Sequence, residues 1–249
     1  MKRTVSFDDV LLVPKFSDIE SRTQVDISSN LGSDITLRMP IISSPMDTIT
    51  ESGMANAMYS AGGLGIIHRY NKPDEQARHV YEAYADGAKH VGAAIGMTGD
   101  FLERAMALTD LGANVLCVDV AHGHHAMMEK CIKALKDKFS PAGIHIMAGN
   151  VATLEAFDAL ASWGADSIRV GIGGGSICST RLVTGHGVPT LQSVLNCSRS
   201  KYKNVKIIAD GGIKTSGDIV KALAAGADFV MLGSMLAGTK ETPGQVFTS

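Results

Sequence analysis

The chain has 249 residues, 45% hydrophobic and 19% charged, with a formal net charge of −2. That apolar fraction buries a core too large for a mini-protein and excludes intrinsic disorder, while the near-neutral balance gives no electrostatic footprint for nucleic acid or a membrane surface. The 27 glycines follow no three-residue period, so they mark turns and close backbone approaches rather than a fibre.

At the N-terminus, MKRTVSFDDVLLVPKF puts Asp8 and Asp9 where a signal peptide needs its apolar stretch. No apolar run approaches the ~18 residues of a membrane span, so a cytoplasmic chain without a membrane partner is expected. Cys117, Cys131, Cys178 and Cys197 form no C-x-x-C pair, which fits reduced thiols rather than disulfides or a zinc site.

From residue 40 onward, short β-branched runs alternate with stretches of helical period. Strands are predicted at 40–46, 62–68, 91–96, 115–121, 144–149, 167–172, 206–212 and 229–233, and helices at 73–86, 101–111, 125–138, 153–163 and 216–225. Strands that are apolar at consecutive positions are buried on both faces, and strands of that kind separated by helices make parallel βαβ units. Eight such units predict a (β/α)₈ TIM barrel, one catalytic domain over 1–249, with no linker or low-complexity segment dividing it. LGAN (111–114), WGAD (163–166) and AGAD (225–228) each close a helix and open a strand, as a left-handed glycine allows. No helical pattern follows the eighth run before Ser249, so the last helix is predicted to be missing and the eighth strand's apolar surface uncovered, with aggregation as the consequence.

In a barrel of this kind, chemistry sits in the loops after the strands' C-terminal ends. Gly171–Gly175 with Ser176 would turn backbone dipoles toward an anion or a monovalent cation, and Gly211-Gly212 and Gly233-Ser234 follow the two strands after which barrels commonly hold phosphate. Cys178 is the one thiol in such a loop, where backbone N–H groups and Arg181 would lower its pKa for nucleophilic attack; the alternative is a small apolar side chain. Cys117 lies in an apolar strand, Cys131 on a helix face, and Cys197 follows a helical stretch. His122, His124 and His125 are near-consecutive at a strand end and do not converge on a metal. Asp119 and Asp210 end strands, where each would accept from a ribose diol, or else cap a helix or form a salt bridge. Two such aspartates suit two ribose-bearing ligands.

SSPMDT (43–48), GIGGGSICSTR (171–181), ADGGI (209–213) and VMLGSMLAG (230–238) resemble the IMP dehydrogenase/GMP reductase family, and the resemblance runs from FDDVLLVP (7–14) to the last residues. It implies a barrel that binds a purine nucleoside monophosphate beside a nicotinamide cofactor. By position, Cys178 matches the nucleophile that attacks C2 of the purine and Thr180 the threonine near that carbon. Ser176, Gly212, Gly233 and Ser234 match the phosphate cradle, Asp210 the ribose ligand, and Ser44, Met46 and Asn150 further nucleotide contacts. Asp119 and Gly171 would face the cofactor, and the carbonyls of Gly173, Gly175 and Cys178 would hold potassium. A homotetramer is likewise implied.

SSPMDTITE and VGAAIG look like the dehydrogenase, which converts IMP to XMP with NAD in GMP biosynthesis. Asp119-Val120-Ala121 and MAGNV (147–151) look like the reductase, which converts GMP to IMP and ammonia with NADPH. The dehydrogenase reading is favoured, and a catalytically weak purine-nucleotide-binding barrel is the reading from a different class. A phosphate-sugar isomerase would rest on the phosphate loops alone. The short connection between the second and third strands leaves no room for the regulatory CBS pair of many dehydrogenases. Family members continue with a flap, a Y-R-G-M segment and a closing helix that have no counterpart here, which implies adduct formation and hydride transfer with slow product release.

Overall fold

In a computed structural model, residues 3–244 are described. Eight parallel strands close into a barrel: β3 (Ile41–Ser43), β4 (Leu64–Ile67), β5 (Gly92–Ile95), β6 (Val115–Asp119), β7 (His145–Val151), β8 (Ser167–Val170), β9 (Lys206–Asp210) and β10 (Phe229–Leu232), with β10 paired to β3. The predicted (β/α)₈ barrel is borne out; seven of the strands are shorter than their predicted runs, while β7 continues past its run to Val151. Around it stand α1 (Ser52–Ala61), α2 (Pro73–Ala85), α3 (Phe101–Asp110), α4 (Ala126–Phe139), α5 (Leu154–Trp163), α6 (Thr180–Thr184), α7 (Thr190–Cys197) and α8 (Ser216–Ala224). Only α2 joins β4 to β5.

The helices start where side chains satisfy their free N–H groups. Thr153 Oγ1 accepts from Ala156 N–H at the start of α5. Thr215 and Asp218 form a reciprocal capping box at α8, the hydroxyl accepting from the Asp218 N–H and the carboxylate from the Thr215 N–H. The three G-A-D/N connectors adopt the predicted geometry: Gly112, Gly164 and Gly226 have φ of +111°, +110° and +109°.

Three helices and a hairpin escaped the periodicity. α1 is built of small residues with no broad apolar stripe, because it lies so close to the barrel that a Cβ on Gly65 would stand 2.6 Å from Ala55 Cα. α6 is a short turn of the Cys178 loop, and Cys197 is the last residue of α7 rather than following it. The antiparallel hairpin of β1 (Ser29–Gly32) and β2 (Ile35–Leu37) was also unpredicted. Its Leu31, Ile35 and Leu37 share an apolar cluster with Ile42, Ile66 and Phe229 inside the barrel, so the hairpin plugs the bottom.

A second, larger apolar layer fills the space between strands and helices. The expectation of an uncovered eighth strand is overturned. All four residues of β10 are buried, because α8 packs against the strand and Leu236 folds back onto the outer core. Among the described residues turns, and no helix, follow β10 as far as Gly244, and no helix is long and apolar enough to cross a membrane.

Candidate functional site

The loop after β3 is fixed from below. Thr50 Oγ1, fully buried, bonds Ser43 Oγ at 2.8 Å and the Ser44 carbonyl at 2.7 Å, which holds Ser44 and Met46 against the loop after β10. A Cβ on Gly233 would lie 3.2 Å from Met46 Sδ, so glycine there lets the two loops meet. Between them opens a cavity of about 190 Å³ lined by Ser44, Met46, Ser176, Asp210, Gly212, Gly233 and Ser234, with Ile177, Ile213 and Met231 as apolar wall. Seven of the eight residues expected to contact nucleotide thus share one cavity. Bare backbone, hydroxyls and one carboxylate in the same lining suit a phosphate joined to a diol.

Asn150, the eighth, stands behind that wall. Its Nδ2 donates to Asp210 Oδ2 at 2.7 Å and to the Gly171 carbonyl at 2.8 Å. Gly171 has φ +150°, and a Cβ there would come 1.9 Å from the Asp210 carbonyl oxygen, so no other residue fits the turn. Asp119 does not line the nucleotide cavity. It is joined to Asp210 by Arg169, whose Nη1 donates to Asp119 Oδ1 at 2.5 Å and whose Nη2 donates to Asp210 Oδ2 at 2.8 Å. Both aspartates therefore form ion pairs with Arg169, each through one oxygen. Burial pulls the Arg169 guanidinium pKa down, and the two carboxylates outweigh it, raising it well above the ordinary arginine range. Arg169 and Thr50 were missed in the sequence, although an arginine in the apolar run SIRV is itself a signal, since a charge inside a buried strand demands partners.

Cys178 sits on the glycine-rich loop, half-buried, its N–H donating to the Gly175 carbonyl at 3.1 Å. Its thiol donates to Thr180 Oγ1 at 3.2 Å. The Thr180 side chain does most to hold the thiol below the ordinary cysteine range; burial opposes it, and the Gly173 and Thr180 backbone and the Arg181 charge assist. Cys117, Cys131 and Cys197 are buried, and burial pushes each up to about 12, which makes them inert. On the far side of Thr180 a second, largely apolar cavity of about 540 Å³ is lined by Ala121, His122, Ala152, Ile172 and Val188. Thr180 lines this second cavity, and Ser176 and Ile177, just before Cys178 in the same loop, line the first.

Gly173 is packed against the Arg181 stem, where a Cβ would lie 2.6 Å from Cγ. The turn leaves the Gly175 carbonyl one lone pair beyond its bond to Cys178. Of the three histidines, His125 caps α4, its Nδ1 accepting from Met127 N–H at 3.1 Å, and His124 meets His122 edge-on and Trp163 at a tilt. Among the described residues no group of His, Cys, Asp and Glu side chains suits a metal ion.

Residues 4–249 match the family described as "IMP dehydrogenase / GMP reductase domain". The chain belongs to the IMP dehydrogenase/GMP reductase family. The inosine-5'-monophosphate dehydrogenase of Cryptosporidium parvum is 39% identical over 284 residues, covering 97% of this chain and 70% of that protein. That of Nitrosopumilus maritimus is 34% identical over 371 residues, covering 99% and 78%. The GMP reductase of Leishmania major is 33% identical over 375 residues, covering 97% and 76%. All three alignments are longer than this 249-residue chain, so those relatives carry stretches without a counterpart in it.

Proposed function

We propose that this barrel, acting as a single domain, is an oxidoreductase of purine nucleoside monophosphates that converts IMP to XMP with NAD. The observation that carries this reading is Cys178: the one thiol with a lowered pKa, on the loop whose Ser176 and Ile177 line the first cavity and whose Thr180 lines the second. Ser176, Gly212, Gly233 and Ser234 bind the phosphate, Asp210 takes the ribose diol, and Ser44, Met46 and Asn150 complete the seat. This places the purine against the 178–180 loop.

The chemistry needs a thiol because C2 of the purine is trigonal. Addition of the Cys178 thiolate makes it tetrahedral, and hydride then leaves with the C–H electron pair, so C2 is oxidised and a thioimidate remains on the sulfur. Water adds to that carbon, the C–S bond breaks, and XMP departs as the thiolate is regenerated. The Thr180 hydroxyl stabilises the thiolate before attack. Bound nicotinamide supplies the hydride acceptor. Its site fits the residues present: Asp119 Oδ2 takes no hydrogen bond among the described residues, and the cavity beside Thr180 offers a largely apolar wall to a flat ring. Gly171 keeps the backbone low where that ring enters.

Potassium fits the same loop in part. The carbonyls of Gly173, Gly175 and Cys178 supply three oxygens, and the ion would brace the turn that carries the nucleophile.

GMP reduction with NADPH is a second reading, favoured by Asp119-Val120-Ala121 and by the MAGNV segment, 147–151, that carries Asn150. There the same thiolate would add to C2 of GMP, the bond to the exocyclic nitrogen would break as that nitrogen leaves protonated as ammonia, and once C2 has taken the hydride that a bound NADPH would supply, the C–S bond would break to release IMP and regenerate the thiolate. Rapid mixing with IMP and NAD against GMP and NADPH, with mass spectrometry of Cys178, decides between them. A covalent adduct with IMP and formation of NADH are expected. No adduct with either nucleotide would leave a binding protein.

A further inference from the structure

Arg169 lies on β8 with its side chain 7% exposed, in register with Gly149 of β7, which is in register with Asp119 of β6. A Cβ on Gly149 would stand 2.6 Å from Arg169 Cβ. The missing side chain is what lets the arginine cross β7 inside the barrel mouth and reach β6. On one side its Nε and Nη2 donate to Asp210 Oδ2 at 3.1 and 2.8 Å, and on the other its Nη1 donates to Asp119 Oδ1 at 2.5 Å and to Cys117 Sγ at 3.6 Å. Asn150 adds a third donor to Asp210 Oδ2 at 2.7 Å.

Each aspartate is thus held by one oxygen. Oδ1 of Asp210 takes no hydrogen bond among the described residues, and Asp210 lines the nucleotide cavity. Oδ2 of Asp119 takes no hydrogen bond among the described residues; Arg69 Nε lies 3.9 Å from it, too far for one. The two cations and two carboxylates alternate across the mouth in the order Arg69, Asp119, Arg169, Asp210.

We infer that Arg169 is a positioning residue that presents one free oxygen each of Asp119 and Asp210 to ligand hydroxyls, and that it couples affinity for the nucleotide to the state of Asp119 on the cofactor side. The inference rests on the functional reading above. A planar guanidinium buried between two carboxylates has one arrangement that satisfies all its directed bonds, so a change at one end moves the other. Lysine, a point charge with a flexible stem, cannot make the three carboxylate bonds at once.

The test measures IMP binding by calorimetry with no dinucleotide present, on the full chain, with thermal unfolding as the check of fold. Asp119→Asn is expected to weaken IMP binding at least about threefold, although Asp119 lies outside the nucleotide cavity; Arg169→Met and Arg169→Lys each weaken it about tenfold or more. In the Arg169→Met background, Asp119→Asn is expected to have no further effect. Unchanged IMP affinity in Asp119→Asn overturns the inference, and so does a double variant whose two effects simply multiply. If Arg169→Met fails to fold, the single Asp119→Asn measurement still decides. Failure of the wild-type chain to bind IMP overturns the functional reading instead, an outcome distinct from either.

Discussion

The Sγ of Cys178 and the Oγ1 of Thr180 lie 3.2 Å apart, two residues removed along one turn of the glycine-rich loop. In the thiol form sulfur donates; once it ionises, the hydroxyl becomes the donor and the charge gains a partner. The Thr180→Val variant removes that partner, so the thiol pKa rises toward the ordinary cysteine value. The pH midpoint for alkylation of Cys178 by iodoacetamide is expected to move up with it, and an unmoved midpoint would show that the threonine does not tune the sulfur.

Thiol titration of the native protein separates the four cysteines. Cys178 is expected to react first, while Cys117, Cys131 and Cys197, pushed up to about 12 by burial, react only on unfolding. Cys178→Ala therefore leaves a native protein with no fast-reacting thiol. Turnover in that variant is expected to fall by about a thousandfold or more while IMP affinity stays within a few-fold of wild type, since the nucleotide seat is made by other loops. A variant that still turned over would remove the thiol from the chemistry.

Gly171 combines a φ of +150° with a Cβ position 1.9 Å from the Asp210 carbonyl oxygen. Gly171→Ala is expected to cost more than about 2 kcal/mol in urea unfolding, or to displace the β9 end and weaken IMP binding. Wild-type values on both measurements would contradict the packing at the β8 and β9 mouth.

His145, at the start of β7, is fully buried, with Nε2 2.8 Å from Ser167 Oγ and Nδ1 without a hydrogen bond. Burial pulls its pKa down to about 4, Asp166 opposing and Lys136 assisting. The folded state therefore holds this ring neutral, and the unfolded chain takes up its proton first. The stability it contributes is full above pH ~6.5 and is lost as pH falls toward 4, on the order of 3 kcal/mol in total. Urea midpoints measured across pH 7 to 4 are expected to fall less steeply in His145→Gln than in wild type, and parallel curves would refute the assignment.

Leu31 is almost wholly buried where the hairpin enters the barrel floor. The Leu31→Ala change is expected to cost about 2–5 kcal/mol in urea unfolding, as for other core leucines, because the closed strand ring cannot collapse onto the void. A cost below about 1 kcal/mol would mean that the hairpin is not a plug.

Much of this protein was legible in the sequence because a barrel strand is buried on both faces and a barrel helix on one. Those two periodicities, punctuated by left-handed glycines at 112, 164 and 226, specify eight units without knowledge of any contact. The loops after the strands then named the cavity residues, since ring closure carries every strand's C-terminal end to one mouth. Periodicity could not show α1, whose close approach to β4 replaces an apolar stripe with small side chains, nor the hairpin, whose apolar residues serve a core built by other segments. It also could not show that Arg169 reaches Asp119. That contact depends on a side chain crossing the gap above Gly149, a relation among three strands distant in the chain, and only closure of the ring places them side by side.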